Sequence, residues 1–278
     1  MRDHWGPALL GWCSFVVALA TAGFAVEVLE QSVADPPDLL AKAVPAVIVL
    51  AIAVPAVLLV HRRDRSVLAL ARPGQALTGI LVTFAAAAVV IGPAWLAGWI
   101  SFTSLDGAAL LGFLVVNSLV ALALEAVPEE LAFRGSVYGS LRGALRPRWA
   151  GVVATASFVL APGASIALAA AAGKAFGVVT EPVTFAPGGQ DPISYAMLLT
   201  CFGAVLLLAR EATGSIWTAV GLHLSFLTVN RIVFSDDRDT GIGVSAEAGA
   251  ELLVLAYLLL AALALAGLRR RLTPQVVS

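Results

Sequence analysis

Eight apolar stretches, each long enough or nearly long enough to cross a lipid bilayer, constrain the fold of this chain more than any other feature. A helix needs roughly 20 apolar residues to cross the hydrocarbon core. Of the 278 residues, 60% are hydrophobic and 13% are charged, whereas a soluble domain carries about 25% charged residues. We therefore predict an all-α, polytopic membrane helical bundle with about eight transmembrane helices. The predicted spans cover about 7–29, 39–60, 76–101, 107–127, 148–172, 192–209, 215–234 and 248–268.

The distribution of arginine predicts how these spans are oriented. Cytoplasmic loops of membrane proteins are enriched in Lys and Arg. If both termini are cytoplasmic, the arginine-rich segments 62–72, 134–148 and 269–271 all fall on the inner side, and the acidic linkers 30–38 and 236–239 fall on the outer side. We therefore predict that both termini are cytoplasmic. On this topology, His61 is interpreted as a solvated residue at the inner interface.

The fourth predicted span ends, on its cytoplasmic side, in a segment that carries three carboxylates and an arginine. Ionisable groups at membrane depth are costly, and they usually face a protein interior or a water-filled cavity. Because residues four apart share a helix face, Glu125 stacks with Glu129, and Glu130 stacks with Arg134. We predict that Glu130 pairs with Arg134 and that Glu129 is the carboxylate used for chemistry, beside a bend at Pro128. The alternative is a structural ion pair that closes a helix end.

His223 lies near the middle of the seventh predicted span. A lone buried histidine is usually a packing residue, but a histidine deep in lipid needs a polar partner, and a glutamate of the fourth span is the natural one. A carboxylate facing a histidine can deprotonate a water for attack on a peptide carbonyl, while the histidine stabilises the oxyanion. A divalent metal such as zinc would need about three protein ligands. Glu129 and His223 supply two, so the metal mechanism is the weaker alternative.

Residues 129–135 resemble the first motif, Glu-Glu-x-x-x-Arg, of the CAAX protease and bacteriocin-processing family, and residues 214–223 resemble its last motif. Members of that family are polytopic intramembrane endopeptidases. The resemblance therefore implies that the chain hydrolyses a peptide bond of a membrane-associated or lipidated substrate. It also implies that Glu129 is the water-activating carboxylate and that Glu130 and Arg134 form its supporting ion pair. His223 would be a catalytic or ligand histidine.

Two positions depart from the family pattern. The middle motif is Phe-x-x-x-His, and the matching stretch begins at Phe158 but has Pro162 in place of the histidine. The family also has an asparagine four residues after its last histidine, where this chain has Leu227. Two alternatives therefore stay open. One is a catalytically impaired relative that acts as a membrane binding or immunity factor, and the weaker one, for lack of an internal repeat, is a small ion-coupled transporter.

The resemblance also divides the chain into three predicted regions. Residues 1–105 are N-terminal transmembrane helices that form a variable extension, residues 106–235 are the catalytic core, and residues 236–278 are a C-terminal transmembrane helix with a basic tail. We expect the protein to be an integral, multi-pass component of a prokaryotic plasma membrane. Its expected partners are the lipid bilayer and a peptide or membrane-protein substrate, with no nucleic acid.

Overall fold

The structure is a computed structural model that describes residues 4–180, 182–234 and 240–272. In this part of the chain, eight helices are long and apolar enough to cross a membrane. The predicted all-α, polytopic architecture is therefore confirmed. The helices are α1 (Trp5–Ser32), α2 (Asp38–Val60), α3 (Ala76–Leu96), α4 (Gly107–Leu141), α5 (Pro147–Phe176), α6 (Pro192–Thr213), α7 (Ile216–Val233) and α8 (Leu253–Leu272).

The predicted end of the helix that carries the carboxylates was wrong. The fourth span was predicted to end near residue 127, but α4 continues to Leu141. Glu130 and Arg134 interrupt the apolar run without ending the helix, because their side chains are buried and paired inside the protein. The carboxylate cluster therefore lies in the middle of α4 and not at the end that was predicted to be cytoplasmic.

Two short strands accompany the helices. Strand β1 (Ile100–Leu105) pairs antiparallel with β2 (Ile242–Ala246), with Ile100 opposite Ala246 and Leu105 opposite Ile242. The apolar composition of Ile100 and its neighbours led to their inclusion in the third predicted span, but α3 ends at Leu96. Hydropathy measures how apolar a segment is and does not distinguish a helix from a short strand.

The chain forms two compact units. The first unit consists of Met1–Leu70 and Leu122–Ala204, and the second consists of Ala71–Ala121 and Val205–Ser278. The predicted region boundary after residue 235, and the acidic linker at 236–239, lie outside the described residues. The division into an extension, a core and a C-terminal region stays a prediction.

In the first unit, α1 packs against α2 and α5. The indole Nε1 of Trp12 donates a hydrogen bond of 2.9 Å to the carbonyl oxygen of Ser157 on α5. Deeper in the unit, the ring of Phe133 on α4 lies between Phe15 on α1 and Phe158 on α5, each 5.3 Å away and edge to face. These aromatic contacts hold the middle of α4 between two other helices.

His61, which follows α2, also belongs to the first unit, and its interpretation as a solvated residue was wrong. Its side chain is buried, and its Nε2 atom lies 2.8 Å from the Oγ atom of Ser136 on α4. The Ser136 hydroxyl donates in turn to the carbonyl oxygen of Pro7. Burial lowers the pKa of the His61 imidazole, although the nearby Asp64 carboxylate acts in the opposite direction.

In the second unit, α3 and α7 approach each other closely through two glycines. A Cβ atom on Gly79 would overlap the backbone of Thr218, and one on Gly221 would overlap the backbone of Ala76. Small residues permit such close approach between membrane helices. Helix α7 begins with a cap, because the Ser215 hydroxyl accepts from the Trp217 amide and donates to the carbonyl oxygen of Ala71.

Candidate active site

The middle of α4 departs from regular α-helical winding on both sides of Pro128. Residues Leu122–Ala126 and Glu130–Val137 are π-helical, and only Val127–Glu129 between them is α-helical. Proline has no amide hydrogen to donate, so a regular hydrogen-bond ladder cannot pass through residue 128. The helix continues by changing its winding. Such π-helical segments are rare and frequently occur at functional sites.

Glu130 and Arg134 form the ion pair that their spacing predicts. The Nη1 atom of Arg134 lies 3.0 Å from the Oε1 atom of Glu130, and both side chains are almost completely buried. Nη2 of Arg134 donates a second hydrogen bond, of 3.2 Å, to the carbonyl oxygen of Gly203 on α6. A buried charge is tolerated only when it is well paired and hydrogen-bonded. These contacts meet that condition for Arg134.

Aromatic rings complete the surroundings of Arg134. Its guanidinium group lies over the ring of Phe158, 4.3 Å from the centroid, which is within the range of an attractive cation–π interaction. A Cβ atom on Gly203 would lie 3.1 Å from Phe158 and 3.4 Å from Arg134, so the close approach of α6 requires a small residue there. Phe158, the first residue of the middle motif, therefore packs directly against the arginine of the first motif.

Glu129 faces a cavity of about 390 Å³ that lies entirely within the first unit. Small-molecule sites are typically clefts of about 300–1,000 Å³ with mostly apolar walls and a few placed polar groups. The walls here come from α1, α2, α4, α5, the start of α6 and the connection between α5 and α6. The polar residues among them include three carboxylates, two hydroxyls and a phenol: Glu27, Glu125, Glu129, Ser165, Thr180 and Tyr195.

Pro162 lines the same cavity as Glu129. The family pattern has a histidine at position 162. The structure therefore places this position in the same cavity as Glu129, the candidate for activating water, although the residue here is a proline. The hydroxyl of Ser165, three residues on, donates a 2.7 Å hydrogen bond to the carbonyl oxygen of Pro162. Because that hydroxyl is already engaged, Ser165 does not replace the histidine as a donor into the cavity.

The cavity also reaches the connection between α5 and α6, where Thr180 and Pro187 form part of its wall. This connection follows the end of α5 at Phe176, which is opposite to the end that carries Arg148. From the sequence, the site was predicted at the cytoplasmic end of the fourth span. In the structure the cavity instead adjoins the connection between α5 and α6, which faces outward if both termini are cytoplasmic as predicted.

Several charged groups act on the Glu129 carboxylate. Glu125 and Glu130 interact with it as like charges, and Arg134 interacts with it as an opposite charge. Tyr195 interacts electrostatically with Glu129 and with Glu125. The predicted grouping of Glu125, Glu129, Glu130 and Arg134 on one part of α4 is therefore present.

His223 belongs to the second unit, where it lies on α7 and is only 2% exposed. On the same helix, the Ser225 hydroxyl donates to the carbonyl oxygen of Gly221, and Leu227 occupies the position of the family's asparagine. That His223 faces a glutamate of α4 stays a prediction. In the same unit, Asn117 donates to the hydroxyl of Thr228 and accepts from Arg231.

A metal centre was the weaker sequence prediction, with Glu129 and His223 as its two protein ligands. Within the described ranges 4–180, 182–234 and 240–272, no group of three or more His, Cys, Asp or Glu side chains is arranged to hold a metal ion. Zinc sites in enzymes use about three protein ligands. A metal held by Glu129 and His223 stays a prediction with two of these ligands, and we derive no catalytic step through a metal.

Two residues that line the cavity were not predicted as site residues from the sequence. Tyr195 lies at the start of α6, where a tyrosine in an apolar span is typical of a membrane interface. Glu27 lies near the predicted outer end of α1, where water is close, so its carboxylate carried no functional signal. Only the packing of α1 and α6 around α4 brings these side chains to the cavity.

A comparison with protein families matches part of the chain. The model described as Type II CAAX prenyl endopeptidase Rce1-like matches residues 109–229. The match begins at the third residue of α4 and includes α5, α6 and most of α7, so it contains Glu129, Glu130, Arg134 and His223. The family resemblance predicted from the motifs is confirmed. No curated protein matches the chain, and no solved structure matches it.

Proposed function

Residues 109–229 match the Rce1-like family of type II CAAX prenyl endopeptidases, and on this basis we propose that the chain is an intramembrane endopeptidase that uses Glu129 to activate water. The substrate is a membrane-associated or lipidated peptide or protein. The observation that carries the proposal is the position of Glu129 on a largely apolar cavity, directly beside the buried Glu130–Arg134 pair.

The proposed reaction is a hydrolysis in two steps. Glu129 accepts a proton from a water molecule while the water oxygen bonds to the carbonyl carbon of the substrate, which gives a tetrahedral oxyanion. The carbon–nitrogen bond then breaks, and Glu129 returns the proton to the departing amine. The products are a carboxylic acid and an amine, and the enzyme is unchanged. By the family motif, His223 stabilises the oxyanion.

Glu130 and Arg134 are positioning residues in this proposal. Arg134 is held at once by Glu130, by the carbonyl oxygen of Gly203 and by the ring of Phe158. These contacts fix the π-helical part of α4 immediately after Glu129. A carboxylate on a fixed backbone loses little orientational freedom when it engages water and substrate.

The proposal needs no metal, and a chelator tests this point. Cleavage is expected to be unchanged by 1,10-phenanthroline, which removes zinc from proteins. Loss of cleavage with the chelator, restored by added zinc, would replace the metal-free mechanism by one in which Glu129 and His223 are ligands.

A second candidate function is a binding module without turnover. The observation that favours it is Pro162, which places a side chain with no donor in the cavity wall where the family has a histidine. A catalytically impaired relative would retain lipidated peptides in the membrane without cleaving them. Binding of a farnesylated peptide, with no product on prolonged incubation, would support this alternative.

The proposed function is tested by reconstituting the protein in liposomes with a farnesylated peptide that carries a fluorophore and a quencher. The Glu129→Gln variant keeps the shape of the side chain but cannot accept the proton. We expect its cleavage rate to fall by about 10²–10⁴-fold, the usual contribution of a general base. Cleavage at the wild-type rate would contradict the proposal.

The matched control is Glu251→Gln, which makes the same change at an exposed carboxylate of the second unit. This variant should cleave at the wild-type rate. Size-exclusion chromatography and thermal unfolding of both variants verify that any loss of cleavage is not a loss of folded protein.

A further inference from the structure

Tyr195 is held at the cavity by contacts close to it in sequence. Its amide donates a hydrogen bond of 3.0 Å to the carbonyl oxygen of Asp191, the residue immediately before α6. Its ring packs against Phe185 in the preceding connection, with centroids 6.2 Å apart and an interplanar angle of 77°. The backbone of Tyr195 is therefore fixed by a hydrogen-bonded turn, and its ring has an aromatic neighbour.

The same side chain lines the cavity together with Glu129 and Pro162. Glu129 and Glu125 both act electrostatically on Tyr195. The tyrosine thus shares one cavity with the carboxylate proposed to activate water and with the position from which the family's histidine is missing.

An oxyanion that forms in this cavity needs a hydrogen-bond donor in the cavity wall. An ionised carboxylate only accepts hydrogen bonds, so neither Glu27 nor Glu125 can stabilise an oxyanion in that form. The hydroxyl of Ser165 donates to the carbonyl oxygen of Pro162, which leaves the hydroxyl of Thr180 and the phenol of Tyr195 as the oxygen donors of the wall. Of these two residues, Tyr195 is the one that interacts electrostatically with Glu129. A phenol O–H donates a hydrogen bond while staying neutral, so it adds no charge to a cavity that is lined by three carboxyl groups.

We propose that Tyr195 is a further catalytic residue, whose phenol donates a hydrogen bond to the oxyanion in place of the histidine absent at position 162. The inference rests on the proposed function, because the oxyanion forms only if the chain hydrolyses peptide bonds. No proton moves to or from Tyr195. Glu129 takes the proton of the attacking water and returns it to the departing amine, so the reaction balances as before.

The direct test is Tyr195→Phe, which removes the hydroxyl and keeps the ring that packs on Phe185. Loss of one oxyanion donor lowers kcat by about 10²–10³-fold, and we expect that decrease with little change in KM for the farnesylated peptide. The matched control is Tyr257→Phe in the second unit, where the hydroxyl is bonded to Asn230. The control should keep the wild-type kcat.

A rescue experiment separates a catalytic role from a structural one. Pro162→His places an imidazole donor in the same cavity wall, so the Tyr195→Phe/Pro162→His double variant should recover cleavage relative to Tyr195→Phe. If Tyr195→Phe raises KM with kcat unchanged, or if the double variant shows no recovery, the catalytic role of Tyr195 is overturned.

The outcomes also distinguish this inference from the proposed function. Wild-type cleavage by Tyr195→Phe together with an inactive Glu129→Gln variant would overturn the role of Tyr195 and leave the proposed function standing. Wild-type cleavage by Glu129→Gln would overturn the proposed function. A wild-type protein that cleaves no peptide would overturn both.

Discussion

At the scale of single residues, the adjacent glutamates of the first motif have different surroundings. Glu130 is fully buried and bonded to Arg134, whereas Glu129 lines the cavity. The four-residue spacing predicts the pair correctly, because it depends only on helix geometry. The cavity could not be predicted in this way, since its walls come from five helices distant in sequence.

The buried pair gives a prediction about stability. Glu130→Ala or Arg134→Ala leaves the other charge buried without its partner, which costs about 3–5 kcal/mol. We expect a lower yield of folded protein and a lower unfolding temperature in detergent for both variants. The matched control is Lys42→Ala, because Lys42 and Asp38 have the same four-residue spacing but are exposed. An exposed pair contributes about 0–1 kcal/mol, so equal losses in all three variants would contradict this prediction.

His61 gives a prediction about pH. Burial lowers the pKa of its imidazole in the folded protein. In the unfolded chain the pKa of this imidazole is about 6.5, so the unfolded chain binds the proton at a higher pH than the folded protein does. The stability contributed by neutral His61 is complete above about pH 6.5 and is lost as the pH decreases towards the folded-state pKa.

Thermal unfolding between pH 8 and pH 5 measures this effect. The unfolding temperature of the wild type should decrease in the acidic half of the range. His61→Gln can still hydrogen-bond to Ser136 but does not titrate, so its decrease should be smaller. Identical curves for the two proteins would show that His61 is not the titrating group.

At the scale of secondary-structure elements, most of the helices could be predicted from hydropathy. A segment that crosses the hydrocarbon core must satisfy its own backbone hydrogen bonds, so long apolar runs become helices with few exceptions. The limit of α4 could not be predicted, because the charges at Glu130 and Arg134 are neutralised inside the protein. The π-helical winding also has no simple signal in the sequence beyond Pro128.

The contact between α3 and α7 gives a prediction at this scale. Gly79→Ala adds a methyl group where the backbone of Thr218 lies, so the two helices must separate. Such overpacking costs about 1–3 kcal/mol, and we expect a lower unfolding temperature. Gly92→Ala is the matched control in the same helix, since a Cβ atom there meets nothing within 4 Å. A loss of stability from Gly92→Ala as large as that from Gly79→Ala would contradict the role of this contact.

At the scale of the whole molecule, the family match and the two units divide the chain differently. Residues 109–229 contribute to both units, and the cavity with Glu129 lies within the first unit alone. Helices α1 and α2 precede the matched segment, yet Glu27 and Pro45 line the cavity. The segment predicted to be a variable extension therefore supplies part of the cavity wall.

The central claim is that the Glu129 carboxylate carries out the chemistry in this cavity, and modification with dicyclohexylcarbodiimide tests it most directly. This apolar reagent reacts with carboxyl groups in apolar surroundings. Modified residues can be identified one by one by mass spectrometry, while cleavage of the farnesylated peptide is measured on the same samples. We predict that cleavage is lost in proportion to the modification of Glu129. Full modification of Glu129 with cleavage still at the wild-type rate would contradict the claim.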